Sequence, residues 1–372
     1  MASEPPLLFV PIGRNAARPF GMDARERACC LAVNARMECA DAPIQGRPAL
    51  LASMRYGWDP AWLKAMRGRP GAMLTVGGEP VMIHVPAGGN AAAAAAGLED
   101  HQPVEGYEML PAETAELSYA ELRKRERPFV MLLDPENPEP VERAAYDAAY
   151  KGVTDLLTLY LWRKPAFYLT RWAARAGVAP NLVTLVGAIL CVLAFFFFWR
   201  ADYWLGVLAG FIFMVLDTVD GKLARVTGAS SKWGEVFDHG IDLVHPPFWY
   251  WAWEHGLAAY GRPLEPVFAT MVLWAIVGGY VAQRIIEGIF IKRLNMEIHV
   301  WRPIDSRFRL ITARRNPNMV ILVASLLARR PDVGLELVAG WTIVSLIFHA
   351  VRLAQANERL ARGQPITSWL EA

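Results

Sequence analysis

Residues Asp217–Asp242 read DTVDGKLARVTGASSKWGEVFDHGID. Four carboxylates stand in this stretch, Asp217, Asp220, Asp238 and Asp242, between the apolar runs Phe211–Leu216 and Leu243–Trp253. An ionised carboxylate at bilayer depth costs roughly 2.5–3.5 kcal/mol on the insertion scale. Four of them in neighbouring apolar segments therefore require something cationic between them. Asp217 and Asp220 are three residues apart and Asp238 and Asp242 four, so each pair lies on one face of its own helix. Gly228 and Ser230-Ser231 permit a turn between the two helices, which lets the pairs face each other.

Four carboxylates without an adjacent thiolate or paired imidazoles form a hard, all-oxygen site suited to Mg²⁺ or Mn²⁺. Gly221 leaves the backbone open to a bulky ligand, Ala224 keeps the same face small, and Arg225 offers a fork that matches phosphate. The pattern D-x2-D-G-x2-A-R-x8-G-x3-D-x3-D resembles the signature of the CDP-alcohol phosphotransferase family. Asp217, Asp220, Gly221, Ala224, Arg225, Gly234, Asp238 and Asp242 fill each of its positions.

The resemblance implies two divalent ions, with Asp217, Asp220 and Asp238 as ligands. It makes Asp242 the candidate base, a contact to the second ion being left open, and it has Gly221, Ala224, Arg225 and Gly234 shape a CDP pocket. It implies attack of an acceptor hydroxyl on the β-phosphorus of a CDP-alcohol with release of CMP, and a homodimer. Pro180-Asn181-x-x-Thr184 matches a second, less specific family feature near the nucleotide; an Asn N-cap accounts equally for Asn181. Thr227 and Ser231 suit either a phosphate contact or a helix cap. The donor is CDP-diacylglycerol or a CDP-linked polyol. The contrasting class, an ion or metal transporter using the Asp cluster, predicts acidic residues along a path through both leaflets. The later apolar segments hold little acid beyond Glu287 and Glu336.

A length of 372 residues suggests two domains. A composition 54% hydrophobic and 20% charged points to a membrane domain joined to a soluble one. The net charge of +2 argues against a nucleic-acid partner. Cys29, Cys30, Cys39 and Cys191 show no metal or disulfide-framework spacing, so reduced thiols in a cytosol are expected. The N-terminal MASEPPLLFVPIG lacks a basic n-region and does not read as a secretory signal.

Residues 1–140 read as a small α/β cytosolic domain. It has a strand at Leu7–Val10, a helix at Ala24–Met37, a hairpin of Met73–Val76 with Val81–Val85, and a further strand at Phe129–Leu133. Gly88–Gly97 is a loop or a helix, Arg123–Arg127 a solvated charge run, and Asp134–Pro140 a linker. In some members of the resembled family a cytidylyltransferase-like domain precedes the membrane domain. Here Pro11-Ile12-Gly13-Arg14-Asn15 has one glycine where such a loop has two, so a reduced domain with a structural or regulatory role is expected.

Residues 141–179 read as amphipathic helices on an anionic lipid surface, with Ala144–Gly177 helical throughout. Residues 180–358 read as an all-α membrane domain of six spans, near 181–200, 203–226, 234–254, 265–290, 317–330 and 334–356. Basic residues in the second-to-third and fourth-to-fifth connections, Lys222, Arg225 and Arg309 among them, are expected to place the Asp cluster at the cytoplasmic face; the Ala- and Arg-rich composition with a signal-free N-terminus makes a bacterial inner membrane the expectation. Arg284, Arg307, Arg314 and Arg315 are candidates for an acceptor phosphate; Arg284 alternatively pairs with Glu287. Pro246-Pro247 is expected to kink the third span. Trp249, Tyr250, Trp251 and Trp253 are expected to form an interfacial belt, and His239 and His245 to be hydrogen-bonded core groups.

Overall fold

The computed structural model describes residues 6–115, 127–150, 152–229 and 232–370, without the side chains of Lys232, Trp233, Glu235 and Asp238. Most of the charge run Arg123–Arg127 lies outside the described residues. The chain divides into two compact units. One comprises Met1–Tyr150, Phe167–Pro180 and Gly221–Ser231; the other comprises Lys151–Ala166, Asn181–Asp220 and Lys232–Ala372.

The first unit begins β1 (Leu8–Ile12), α1 (Ala24–Asn34), β2 (Glu38–Cys39), β3 (Ala49–Ser53), β4 (Tyr56–Trp58) and α2 (Ala61–Arg67). It continues β5 (Ala72–Val76), β6 (Glu79–Val85), α3 (Ala91–Glu99), β7 (Glu108–Pro111), β8 (Val130–Leu132) and α4 (Glu139–Ala148). Among the described residues one sheet has the order β2-β1-β3-β6-β5-β7, and β4 pairs with β8 separately. β1 runs parallel to β2 and β3, whereas β6 is antiparallel to β3 and β5.

Successive side chains of a strand point to opposite faces, and both faces here are covered. Phe9, Leu50, Leu74 and Met82 pack with Leu31 of α1 and Trp62 and Met66 of α2. Leu8, Val10, Leu51, Met73 and Ile83 pack with Ala94 and Leu98 of α3. Gly77 and Gly78 both have positive φ, +55° and +85°, as a two-residue turn matched to strand twist requires. Gly88–Gly97 resolves into the start of α3, capped by Asn90 Oδ1 on the Ala93 N–H at 3.0 Å. Cys29 in the middle of α1 and Cys39 in β2 are joined by a disulfide across 5.5 Å between Cα atoms, where the sequence implies reduced thiols. Helix and strand bring together two cysteines whose spacing alone gives no sign of it.

Ala144–Gly177 is not one helix. α4 ends at Ala148, a π-helical turn occupies Leu157–Leu161, and α5 spans Arg163–Arg175. Asp155 sets the restart by accepting from the Thr158 N–H at 3.0 Å and the Thr158 hydroxyl at 2.8 Å. In the first unit, Glu142 of α4 is fully buried, accepts from the Phe20 N–H at 2.7 Å and pairs with Arg171 at 2.6 Å.

The remaining helices are α6 (Pro180–Trp199), α7 (Tyr203–Thr227), α8 (Lys232–Ala259), α9 (Pro266–Leu294), α10 (Pro303–Arg309), α11 (Arg315–Leu327) and α12 (Pro331–Ala361). Among the described residues four of them, α6, α7, α9 and α12, are long and apolar enough to cross a membrane. The outward residues of α6, including Leu182, Leu185, Ile189, Val192 and Phe196, are apolar and exposed, as lipid-facing positions are. α11 has 13 residues, about 20 Å at 1.5 Å per residue, against a hydrocarbon core of about 30 Å. α8 is long, but its prolines, histidines and tryptophans dilute its apolarity.

α8 continues through Pro246 and Pro247. Pro247 has no N–H for the Leu243 carbonyl, and the Tyr280 hydroxyl donates to that carbonyl at 2.9 Å instead. The expected aromatic belt is mostly core. Trp249, Tyr250 and Trp253 are buried and Trp251 alone of the four is exposed. The polar edges find internal partners: Trp249 Nε1 donates to the Cys191 carbonyl at 3.0 Å, Trp253 Nε1 to the Pro331 carbonyl at 3.1 Å, and Asn318 Nδ2 to Tyr250 Oη at 2.6 Å.

Candidate active site

In the second unit, α7 carries Asp217 and Asp220 and α8 carries Asp242. The first residue of α11 joins them. Arg315 Nη2 lies 2.8 Å from Asp217 Oδ2, and Nη1 lies 2.6 Å from Asp242 Oδ1. A single guanidinium fork thus bridges one member of each carboxylate pair, which shows that the two helices present them to a common cation. The bridging head is well enclosed, the Arg315 side chain being 13% exposed and that of Asp217 17%. Asp220 is buried and accepts from the Thr184 hydroxyl of α6 at 2.7 Å. Asp238 falls one turn before Asp242 on α8; its side chain lies outside the described residues, as does Ser231 altogether.

Arg315 is held by a chain of polar contacts. Its Nε donates to Asn316 Oδ1 at 3.1 Å, and Asn316 Nδ2 donates to Asp155 Oδ1 at 3.0 Å and to Thr158 Oγ1 at 3.2 Å. Burial pushes the Asp155 carboxyl up, but the Arg309 charge and the bonds from Thr158 and Asn316 outweigh it and hold the group below the usual aspartate range. A carboxyl depressed on folding stabilises the fold above its unfolded pKa, about 3.9. That contribution is lost as pH falls through the lower folded value. The melting temperature is therefore expected to fall more steeply below about pH 4 in the parent chain than in Asp155→Asn, as differential scanning fluorimetry would record.

Residues 177–351 match the CDP-alcohol phosphatidyltransferase family. They form a CDP-alcohol phosphatidyltransferase domain. The chain is 26% identical to an archaetidylinositol phosphate synthase of Pyrococcus horikoshii, over 54% of this chain and 95% of that protein. It is 33% identical to cholinephosphotransferase 1 of Gallus gallus, over 31% of this chain and 36% of the relative. An uncharacterised family member from Dictyostelium discoideum is 32% identical over 26% of this chain and 27% of its own length. The chain thus spans only about a quarter to a third of those last two relatives.

Other residues of the phosphatidyltransferase signature lie on α7 beyond Asp220, in the first unit. A Cβ at Gly221 would stand 3.1 Å from Arg225 Nη2, so glycine leaves that guanidinium its place. Ala224 is half-buried on the same helix. The Thr227 hydroxyl bonds back to the Leu223 carbonyl at 2.6 Å, within its own helix. In the second unit Gly234 is half-buried in the first turn of α8. Asn181 is the second residue of α6 and exposed, inside the first turn and not at its cap.

The four arginines proposed for an acceptor phosphate do not form one group. Arg315 sits on the Asp pairs. Arg284 and Arg314 both reach Glu287 Oε1, at 2.8 and 2.5 Å. Arg307 is exposed on α10. Lys222, counted in the sequence as a surface charge, is buried; its Nζ donates to the Ala149 carbonyl at 2.9 Å and lies 3.6 Å from the Tyr150 ring centre. His245 Nδ1 bonds the Ile241 carbonyl at 2.7 Å.

Sequence reasoning missed the residues that hold the end of α7. In the first unit Arg27 Nε donates to the Val226 carbonyl at 2.8 Å and Asn34 Nδ2 to the Gly228 carbonyl at 2.7 Å. These are the free carbonyls at a helix C-terminus, bonded by side chains nearly 200 residues away. Arg27→Leu leaves the Val226 carbonyl without that donor and is expected to lower stability by about 1–3 kcal/mol, read as a drop in melting temperature.

Proposed function

We propose that the chain transfers a substituted phosphate from a CDP-alcohol to an acceptor hydroxyl and releases CMP, in phospholipid or phosphodiester synthesis. The observation that carries this reading is the bridging of Asp217 and Asp242 by one cation inside the signature of the matched family. The donor set is carboxylate oxygen, which fits Mg²⁺ or Mn²⁺. Asp217, Asp220, Asp238 and Asp242 would hold two such ions. Bound there, they supply positive charge to the bridging and leaving oxygens of the pyrophosphate.

The chain's own groups do the rest. Thr184 fixes the buried Asp220 carboxylate. This reading assigns Gly221, Ala224, Arg225 and Gly234 to CDP, with Asn181, Thr184, Thr227 and Ser231 as further candidates. Asp242, the most exposed described carboxylate of the set at 43%, takes the proton of the acceptor hydroxyl. It does so only after Arg315 releases its Oδ1, and the freed Arg315 then faces the phosphates. Arg284, Arg307 and Arg314 remain candidates for an acceptor phosphate.

The same reading has α8 and α11 cross with α6, α7, α9 and α12, giving six spans over 180–358. It puts residues 141–179 at the lipid interface and 1–140 in a cytosolic domain of nucleotidyltransferase-like ancestry. It further has the site face the cytoplasm of a bacterial inner membrane, in a homodimer. Two of the described basic residues used for that orientation, Lys222 and Arg309, are buried, so topology rests on the remainder.

The relatives' names divide between lipid inositol phosphate synthases and cholinephosphotransferases, and this sets the assay. Purified protein with Mg²⁺ is given CDP-diacylglycerol with inositol phosphate or glycerol phosphate, and separately a CDP-linked polyol with a lipid acceptor. CMP formation with one pairing supports the reading; no CMP from any pairing removes it.

A further inference from the structure

Apart from the residues of the Asp site, the second unit gathers two imidazoles and a carboxylate. Glu287 lies on α9, His349 on α12, and His299 in a 3-10 turn at Ile298–Val300. One ligand atom from each lies within 4.8 Å of the other two, and the two imidazole ring centres are 5.3 Å apart. His349 is fully buried, and neither of its ring nitrogens has a hydrogen-bond partner. A buried polar atom left without a partner costs about 1–3 kcal/mol, so this ring points to a ligand.

Neighbouring bonds mark where that ligand sits. Arg314 Nη2 lies 2.5 Å from Glu287 Oε1 and 3.1 Å from His299 Nε2. His299 Nε2 also lies 3.2 Å from Glu287 Oε1; in the tautomer with its proton on Nδ1, its lone pair meets the guanidinium, which only donates, as Glu287 Oε1 does. Two electron-pair donors of different chemistry thus converge on one cation, with an unpartnered imidazole beside them. Arg314 stands in for that cation. Its side chain is 22% exposed and it is the residue before α11.

We propose that Glu287, His299 and His349 form a binding site for a borderline divalent transition-metal ion of the Zn²⁺ class, which takes the seat that Arg314 Nη2 fills. Two nitrogens and one oxygen are the donor set such ions prefer, and Mg²⁺ does not. The site differs in donor chemistry and in residues from the all-carboxylate cluster. An ion there ties α9, α12 and the turn between α9 and α10 at one point. Arg284, also on Glu287 Oε1 at 2.8 Å, orients the carboxylate from outside.

The test uses the full chain in detergent, stripped with a chelator and titrated with Co²⁺ as a spectroscopic stand-in for Zn²⁺. The expected result is one equivalent giving the visible absorption of nitrogen-ligated Co²⁺. That absorption persists in Asp217→Asn/Asp220→Asn and in excess Mg²⁺, and is lost in His299→Ala/His349→Ala. Arg314→Ala, which removes the competing guanidinium, tightens the binding about tenfold or more. Absence of the absorption in the parent chain overturns the proposal. So does its loss in the Asp variant with retention in the His variant, or an Arg314→Ala affinity equal to the parent's.

Discussion

Asp220→Asn is expected to form CMP at no more than about one-thousandth of the parent rate, with an unchanged melting temperature in the absence of divalent ions. The substitution keeps the shape of the side chain and an oxygen for the Thr184 hydroxyl, so the packing of α6 on α7 survives. What it removes is the negative charge of a buried carboxylate. Loss of one group aimed at developing charge in a water-poor site lowers rates by about 10²–10³, and loss of a metal-holding charge belongs at the upper end. The comparison is a CMP assay beside thermal melting for both proteins. Full activity in Asp220→Asn would show that the phosphoryl group is handled elsewhere.

Arg315→Gln separates the competing cation from the carboxylates. Without divalent ions, removing the guanidinium takes from the enclosed Asp217 carboxylate its ion pair with Arg315. Breaking a buried pair from one side costs about 3–5 kcal/mol; Asp242, at 43% exposed, adds little to that. With Mg²⁺ the sign reverses. The carboxylates no longer have to exchange a guanidinium for the ion, so Mg²⁺ binds the variant about tenfold or more tightly, and its stabilisation, RT ln(1 + [L]/Kd), is larger than in the parent. Melting temperatures at zero and saturating Mg²⁺, with calorimetric titration of both proteins, give the two halves of the prediction. An equal Mg²⁺ response in parent and variant would mean that Arg315 and the ion do not share a seat.

Much of the membrane region is legible because its signals are local. Three- and four-residue spacings fix which carboxylates share a helix face, and apolar runs fix where helices fall: all six segments expected between 181 and 356 are helical. The hairpin at Gly77-Gly78 is written in its turn residues. What escapes is long-range. Arg315 bonds carboxylates 73 and 98 residues away, and as one of several arginines in a basic stretch it looks like topology or phosphate binding. Trp249 and Trp253 resemble an interfacial belt because sequence shows an amphipathic ring but not the carbonyl that satisfies its N–H. Lys222 reads as a surface charge for the same reason. β2 (Glu38–Cys39), β3 (Ala49–Ser53) and β4 (Tyr56–Trp58) are runs of only two to five residues without alternation, and only the sheet tells them from loop. Glu287, His299 and His349 lie on three elements at spacings that match no metal motif, so only the fold brings them together.

The most direct measure of the central claim is Mn²⁺ binding to the purified chain, followed by electron paramagnetic resonance. Two ions per chain with spin coupling between them, both weakened by Asp217→Asn and by Asp242→Asn, are the predicted result. Ions bound independently of both residues, or no bound Mn²⁺, would contradict a site in which α7 and α8 hold divalent metal between their opposed carboxylates.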